Sequence, residues 1–251
     1  MSVVISPTHI ALPDAFNLDA HFLTPSAPIP GILFIHGWGG DQRFDLKRAH
    51  SLARLGCVCL TFDLTGHHDT TAQRHHVSRQ RNLQDVCAAY DTLASHSWVD
   101  PESIAIIGHS YGAYLATLVS QLRPVRWLSL LAPALYHDEE WFKPKDQLNK
   151  ALLNAYRKTP HTKNDNQALL ACSLFKGDVL LIETEHDNFI PKQTILSYRN
   201  AFLEAQSMTH RILYEADHGL TQKAAQQAYS TLLFGWIQEM IMGARAGFLS
   251  V

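Results

Sequence analysis

The chain has 251 residues, 46% hydrophobic, 10% aromatic and 18% charged, a globular balance that excludes a disordered or fibrous protein. At this length about 70–75% of the unfolded surface can be buried, so a single α/β-sized domain over 1–251 with one large core is expected. Lys and Arg number 21 against 23 Asp and Glu, a formal charge of −2 with no basic block or stripe, which argues against nucleic-acid and anionic-membrane partners.

From the N-terminus, residues 1–16 carry no Lys or Arg and are broken by Pro7 and Pro13, which reads as neither a secretory signal nor a transit peptide. The pattern then predicts a hairpin over 3–5 and 18–23, followed by strands over 31–35, 57–62, 103–107, 126–131, 178–182 and 210–214. Helices are predicted over 44–55, 83–93, 113–122, 191–203 and 221–241. In the last of these, Ala225, Tyr229, Leu232, Leu233, Trp236, Ile237, Met240 and Ile241 recur at three- and four-residue steps. Short apolar runs alternating with helical patterns predict an α/β fold, with a mostly parallel central sheet and helices on both faces.

One stretch breaks the alternation. Residues 134–176 separate two strands with a long polar, partly helical segment holding Trp141, Phe142, Leu152, Leu153 and Tyr156, and they read as a small helical cap insertion. No run of about 18 apolar residues suggests a membrane span. Cys57, Cys59, Cys87 and Cys172 form no C-x-x-C pair, and Cys57 and Cys59 alternate within an apolar run as small buried hydrophobes. A soluble, cytoplasmic protein is expected.

Gly108-His109-Ser110-Tyr111-Gly112 matches G-x-S-x-G between a predicted strand and a predicted helix. That context lifts a serine above the sheet edge on a sharp turn, where flanking glycines avoid clashes, and it marks Ser110 as a nucleophile. A serine hydroxyl needs a base, and the base needs an acid to fix its tautomer. Asp187 follows the strand at 178–182, and His218 follows the strand ending at Tyr214, both in positions where open α/β sheets place their sites. Glu183 and Glu185 are rival acids, as is Asp217 beside His218.

The order Ser110, Asp187, His218 resembles that of the α/β-hydrolases, and the resemblance runs from the His36 strand to the final helix. His36-Gly37-Trp38-Gly39-Gly40 is similar to the family's His-Gly oxyanion loop, which implies the backbone N–H groups of Trp38 and Tyr111 as oxyanion donors. Asp63, in an Asp-x-x-Gly segment, reads as loop-shaping. Thr65-Gly66-His67 and the short cap look like the dienelactone-hydrolase and cinnamoyl-esterase-like branches. The acid loop lacks the family's frequent glycine, but the spacing to Pro191 favours Asp187.

The resemblance implies a serine hydrolase cleaving carboxylic esters of small molecules, with no cofactor and no metal. The same triad serves amide and thioester hydrolases such as acylaminoacyl peptidases and thioesterases, which stay open as the alternative, with peptide substrates disfavoured by the absence of an evident propeller or large N-terminal domain. A binding protein that kept the fold without the chemistry is the alternative of another class, and such proteins usually lack a triad member or an oxyanion glycine. Tyr136, Trp141 and Phe142 in the cap are expected to line the substrate pocket. His67, His68 and Asp69, with His75 and His76, are the densest metal-ligand cluster, but their spacing matches no established pattern. His36 and His109 read as hydrogen-bonded structural groups. The sequence leaves the oligomeric state open.

Overall fold

A computed structural model describes residues 4–12, 16–24 and 29–248. Its elements in chain order begin with β1 (Val4–Ala11), β2 (Asn17–Thr24), β3 (Ile29–Ile35), α1 (Arg43–Arg54) and β4 (Val58–Phe62). Next come α2 (Arg79–Ala94), β5 (Val99–His109), α3 (Tyr111–Leu122), β6 (Trp127–Leu131), α4 (Lys150–Arg157) and α5 (Gln167–Leu174). The chain closes with β7 (Asp178–His186), α6 (Lys192–Ala201), β8 (Ser207–Asp217) and α7 (Lys223–Phe248). Short 3₁₀ turns occupy His68–His76 and Lys145–Gln147. Val3 of the predicted hairpin lies outside the described residues.

The strands form one sheet of order β1-β2-β4-β3-β5-β6-β7-β8. β2 runs antiparallel to β1 and β4, and every pair from β4 through β8 is parallel. All residues of β4 and β6 are buried, as expected of strands covered by helices on both faces. α3 is buried from Tyr111 through Val119 and packs on β5 and β6, so its apolar character runs around the helix rather than along a stripe. The fold is that of an α/β protein with a mostly parallel sheet.

The boundaries differ from the prediction where polar residues hide them. α2 starts at Arg79 rather than residue 83, because its first turn is polar and Ser78 caps it, its hydroxyl accepting from the Arg81 N–H at 3.2 Å. β8 extends to both sides of 210–214 as a polar edge strand, with an irregular register between Thr184 and His186 of β7. Between β6 and β7, α4 lies on the surface, whereas α5 buries Ala168, Leu169, Ala171 and Cys172 against α3 and α6. The second half of 134–176 therefore belongs to the layer that covers the sheet.

The strand order matters for the site. Parallel β3, β5, β7 and β8 all end on the same edge, so the loops after them, which start at Ile35 and Asp217 at the extremes, converge in space. No described helix is long and apolar enough to cross a membrane.

Candidate active site

Ser110 occupies the turn between β5 and α3 with φ 54° and ψ −109°, a left-handed conformation that costs free energy in a residue with a Cβ. The surroundings enforce it. The Ser110 N–H donates to Leu131 O at 2.8 Å, and its carbonyl accepts from the N–H groups of Tyr114 at 3.1 Å and Ala134 at 3.0 Å. A Cβ on Gly108 would stand 2.5 Å from the Ala113 Cα, and one on Gly112 would stand 2.1 Å from the Ile35 carbonyl oxygen. Only glycine permits the close approach of strand, turn and helix that holds the serine up.

His218 Nε2 stands 2.9 Å from Ser110 Oγ, and its Nδ1 stands 2.7 Å from Asp187 Oδ2. The Asp187 carboxylate also accepts from the Thr184 hydroxyl at 2.8 Å, the Phe189 N–H at 2.8 Å and the Ile190 N–H at 2.7 Å. Burial alone would raise the Asp187 carboxyl, but the His218 hydrogen bond and charge, with the two N–H donors, outweigh it and hold its pKa below the ordinary value. The rival acids are engaged elsewhere. Glu185 accepts from the Glu215 N–H at 2.8 Å, Glu183 lies 3.4 Å from His210, and Asp217 accepts from the Thr221 N–H and hydroxyl at 2.8 and 2.6 Å.

The loop after β3 is fixed by its histidine. His36 Nδ1 donates to Gly37 O at 2.8 Å while Nε2 accepts from the Leu64 N–H at 3.1 Å, an arrangement for the neutral ring, whose pKa burial lowers. Asp63 braces the same region by accepting from the Gln42 N–H at 2.8 Å and its side-chain amide at 3.0 Å. Trp38 of this loop, with Phe44, His109, Ser110 and His218, lines a cavity of about 270 Å³. Tyr111 begins α3 immediately after the serine, its ring buried.

Phe44 is a part of this site that the sequence did not mark, whereas His109 is a hydrogen-bonded structural group, as read from the sequence. Their rings stack at 5.2 Å, and His109 Nε2 donates to the His218 carbonyl at 2.9 Å, which ties the base's loop to the nucleophile's strand. Phe189 also approaches His218, with ring centroids 5.2 Å apart. The adjacency of His109 to Ser110 was visible in sequence, but its partner, 109 residues away, was not.

The cap aromatics take a different course from the one expected, since none of Tyr136, Trp141 and Phe142 lines the cavity at Ser110. Phe142 is 72% exposed, and Tyr136 is buried against Tyr111 and Tyr114. Trp141 stands beside the Arg79 guanidinium. The reason is a clamp, in which Pro144 pairs with Ser78 and the Lys145 N–H donates to Val77 O at 2.9 Å, holding the cap segment against the start of α2. The histidines of the 3₁₀ turn also disperse. His67 Nδ1 contacts the carbonyls of Leu64 and Thr65, His68 pairs with Asp69 at 2.9 Å, and His75 pairs with Asp146.

Comparison with known proteins identifies the family. An uncharacterized protein of Mycobacterium tuberculosis is 34% identical over 104 residues, which is 41% of this chain and 36% of that one. The chain thus spans about a third of the length of the first curated relatives it matches. A Mycoplasma pneumoniae protein named "Putative esterase/lipase 3" is 28% identical over 165 residues, covering 51% of this chain and 61% of its own. Among solved structures, Est1E from Butyrivibrio proteoclasticus with ferulic acid bound superposes with a TM-score of 0.71 at 15% identity, covering 94% of this chain and 99% of its own. The sequence profile of the prolyl oligopeptidase family (Peptidase_S9) matches residues 42–244, a span that includes Ser110, Asp187 and His218, and on that match the chain belongs to the prolyl oligopeptidase family, within the α/β-hydrolase superfamily.

Proposed function

We propose that the protein is a serine hydrolase of carboxylic esters working through an acyl-enzyme. The observation that carries this reading is the continuous chain from Ser110 Oγ to His218 at 2.9 Å and from His218 to Asp187 at 2.7 Å, mounted on a strained elbow. Ser110 Oγ attacks the acyl carbon as His218 Nε2 takes its proton, and the backbone N–H groups of Trp38 and Tyr111 receive the oxyanion. The tetrahedral adduct collapses, His218 returns the proton to the departing alcohol, and water repeats the sequence to release the acid and free Ser110. Asp187 keeps Nδ1 protonated and steadies the imidazolium. None of these steps calls on a metal or organic cofactor.

The relatives' names support ester chemistry, whereas membership of the prolyl oligopeptidase family favours an amide as the second reading. A fluorophosphonate probe and a matched pair of substrates, a 4-nitrophenyl ester and the corresponding 4-nitroanilide, separate the possibilities. The expected result is labelling of the wild type at Ser110, none in Ser110→Ala, and turnover of the ester far above that of the anilide. Ester turnover retained by Ser110→Ala would overturn the nucleophile assignment. Faster cleavage of the anilide would replace the ester reading with the amide one, and an unlabelled, inactive wild type would favour a non-catalytic binding protein.

A further inference from the structure

Beneath the cap, beside the cavity at Ser110, lies a group of cations that the reaction above does not use. The clamp between Pro144 and Ser78 lays Lys145 next to Arg79. The Lys145 ammonium stands 4.1 Å from the ring centroid of Trp38, 4.8 Å from that of Tyr111 and 5.4 Å from that of Tyr136. Tyr136 is flanked in addition by the guanidinium carbons of Arg157 at 4.9 Å and Arg79 at 5.4 Å.

Arg79 is fully buried. Its Nη1 donates to the Tyr114 hydroxyl at 3.3 Å, but Nε and Nη2 are buried without a hydrogen-bond partner. Among the described residues no carboxylate stands within ion-pairing distance of Arg79, Lys145 or Arg157. Asp138 accepts from the Gln167 N–H at 2.9 Å and Asp146 pairs with His75 through Oδ2, so their charges act on Arg79 and Lys145 only from beyond ion-pairing distance, and Asp146 Oδ1 is itself buried without a hydrogen-bond partner. Desolvation, reinforced by Arg157 and Arg79, holds the Lys145 pKa well below the usual lysine value. Ring faces offset part of the cost of burying cations, and a fully buried guanidinium with two idle donors leaves the rest outstanding.

We infer that Arg79 and Lys145, supported by Arg157, recognise a carboxylate carried on the acyl part of the substrate, so that acidic acyl esters are preferred over neutral ones. This rests on the ester-hydrolase reading. The acyl side is indicated because Trp38 lines the Ser110 cavity and carries Lys145 over its ring, and because Trp38 and Tyr111 are the residues whose N–H groups would hold the carbonyl oxygen. The alcohol leaves beside His218 Nε2, where Phe189 and Gly219 are the neighbours.

The test compares kcat/KM for monomethyl esters of dicarboxylic acids, from succinate to suberate, with methyl esters of neutral acids of equal chain length. A charge-assisted contact is expected to favour the acidic ester by roughly tenfold or more at one chain length. That ratio should fall toward unity in Lys145→Met and in Arg79→Met and recover in Lys145→Arg. Taking the ratio within each variant cancels any loss of folded protein. Independently of turnover, calorimetry should show adipate binding to Ser110→Ala, weakened about tenfold or more by the added Lys145→Met. Turnover of neutral esters with no preference for acidic ones, or a preference that survives both Met variants, overturns the inference and leaves the esterase reading standing. Absence of turnover and of labelling sinks the esterase reading, and the calorimetric arm then decides the anion site alone, where no adipate binding overturns it.

Discussion

Asp187 shows how much of a catalytic role is decided by a single carboxylate's neighbours. Glu183, Glu185 and Asp187 are candidates within five positions, but only Asp187 meets His218 Nδ1 while accepting from Thr184, Phe189 and Ile190. Asp187→Asn would present an amide where a charge is needed and favour the wrong imidazole tautomer, so kcat for a 4-nitrophenyl ester should fall on the order of 10³–10⁴-fold. Glu185→Gln should cost at most a few-fold, since Glu185 faces the Glu215 N–H instead. A larger loss at Glu185 would transfer the acid role to it.

At the scale of elements, the site depends on helices whose ends are tied to the cap. Asn166 caps α5, accepting from the N–H groups of Ala168 at 3.0 Å and Leu169 at 3.3 Å, and its own amide donates to Tyr136 O at 2.7 Å. Asn149 caps α4 in the same way but at the surface. Asn149→Ala should therefore cost about 1 kcal/mol, whereas Asn166→Ala also strips a buried carbonyl of its donor and should cost about 2–4 kcal/mol. Urea denaturation of both variants checks the difference, and equal losses would mean that the Asn166–Tyr136 bond carries no weight. The sequence reading named neither cap, and the link from Asn166 to Tyr136 spans 30 residues, with no local pattern to mark it.

Across the whole molecule, burial of histidines ties stability to pH. His67 is fully buried, and desolvation, reinforced by the nearby His36 ring and Arg74 guanidinium, lowers its pKa to about 3; His36 is lowered by burial as well. Above the unfolded value of about 6.5 both states hold a neutral ring, and as pH falls below it the unfolded chain binds a proton that the fold refuses. His67 alone should thus remove about 2 kcal/mol between pH 6.5 and 5. Asp45 opposes it, because burial raises its carboxyl to about 6 and protonation on acidification favours the fold. The clean measurement is a difference: unfolding free energy should drop more steeply from pH 7.5 to 5 in the wild type than in His67→Asn, by about one proton's worth. Parallel curves would show that His67 does not titrate this way.

The sequence by itself determined the alternation of strands and helices, the mostly parallel sheet, and the places in that order where Ser110, Asp187 and His218 fall. These signals are local, since each residue stands directly after a strand, and parallel strands deliver whatever follows them to one edge. Polar helix starts such as that of α2 escaped because periodicity marks only the apolar face. Spacing to Pro191 favoured Asp187 as the acid, but tertiary structure alone decided that Phe142 faces outward and that Arg79, Lys145 and Arg157 gather around Tyr136. Those side chains come from α2, the cap turn and α4, and what brings them together is pairing between segments distant in the chain, Ser78 with Pro144 above all, for which no local pattern exists.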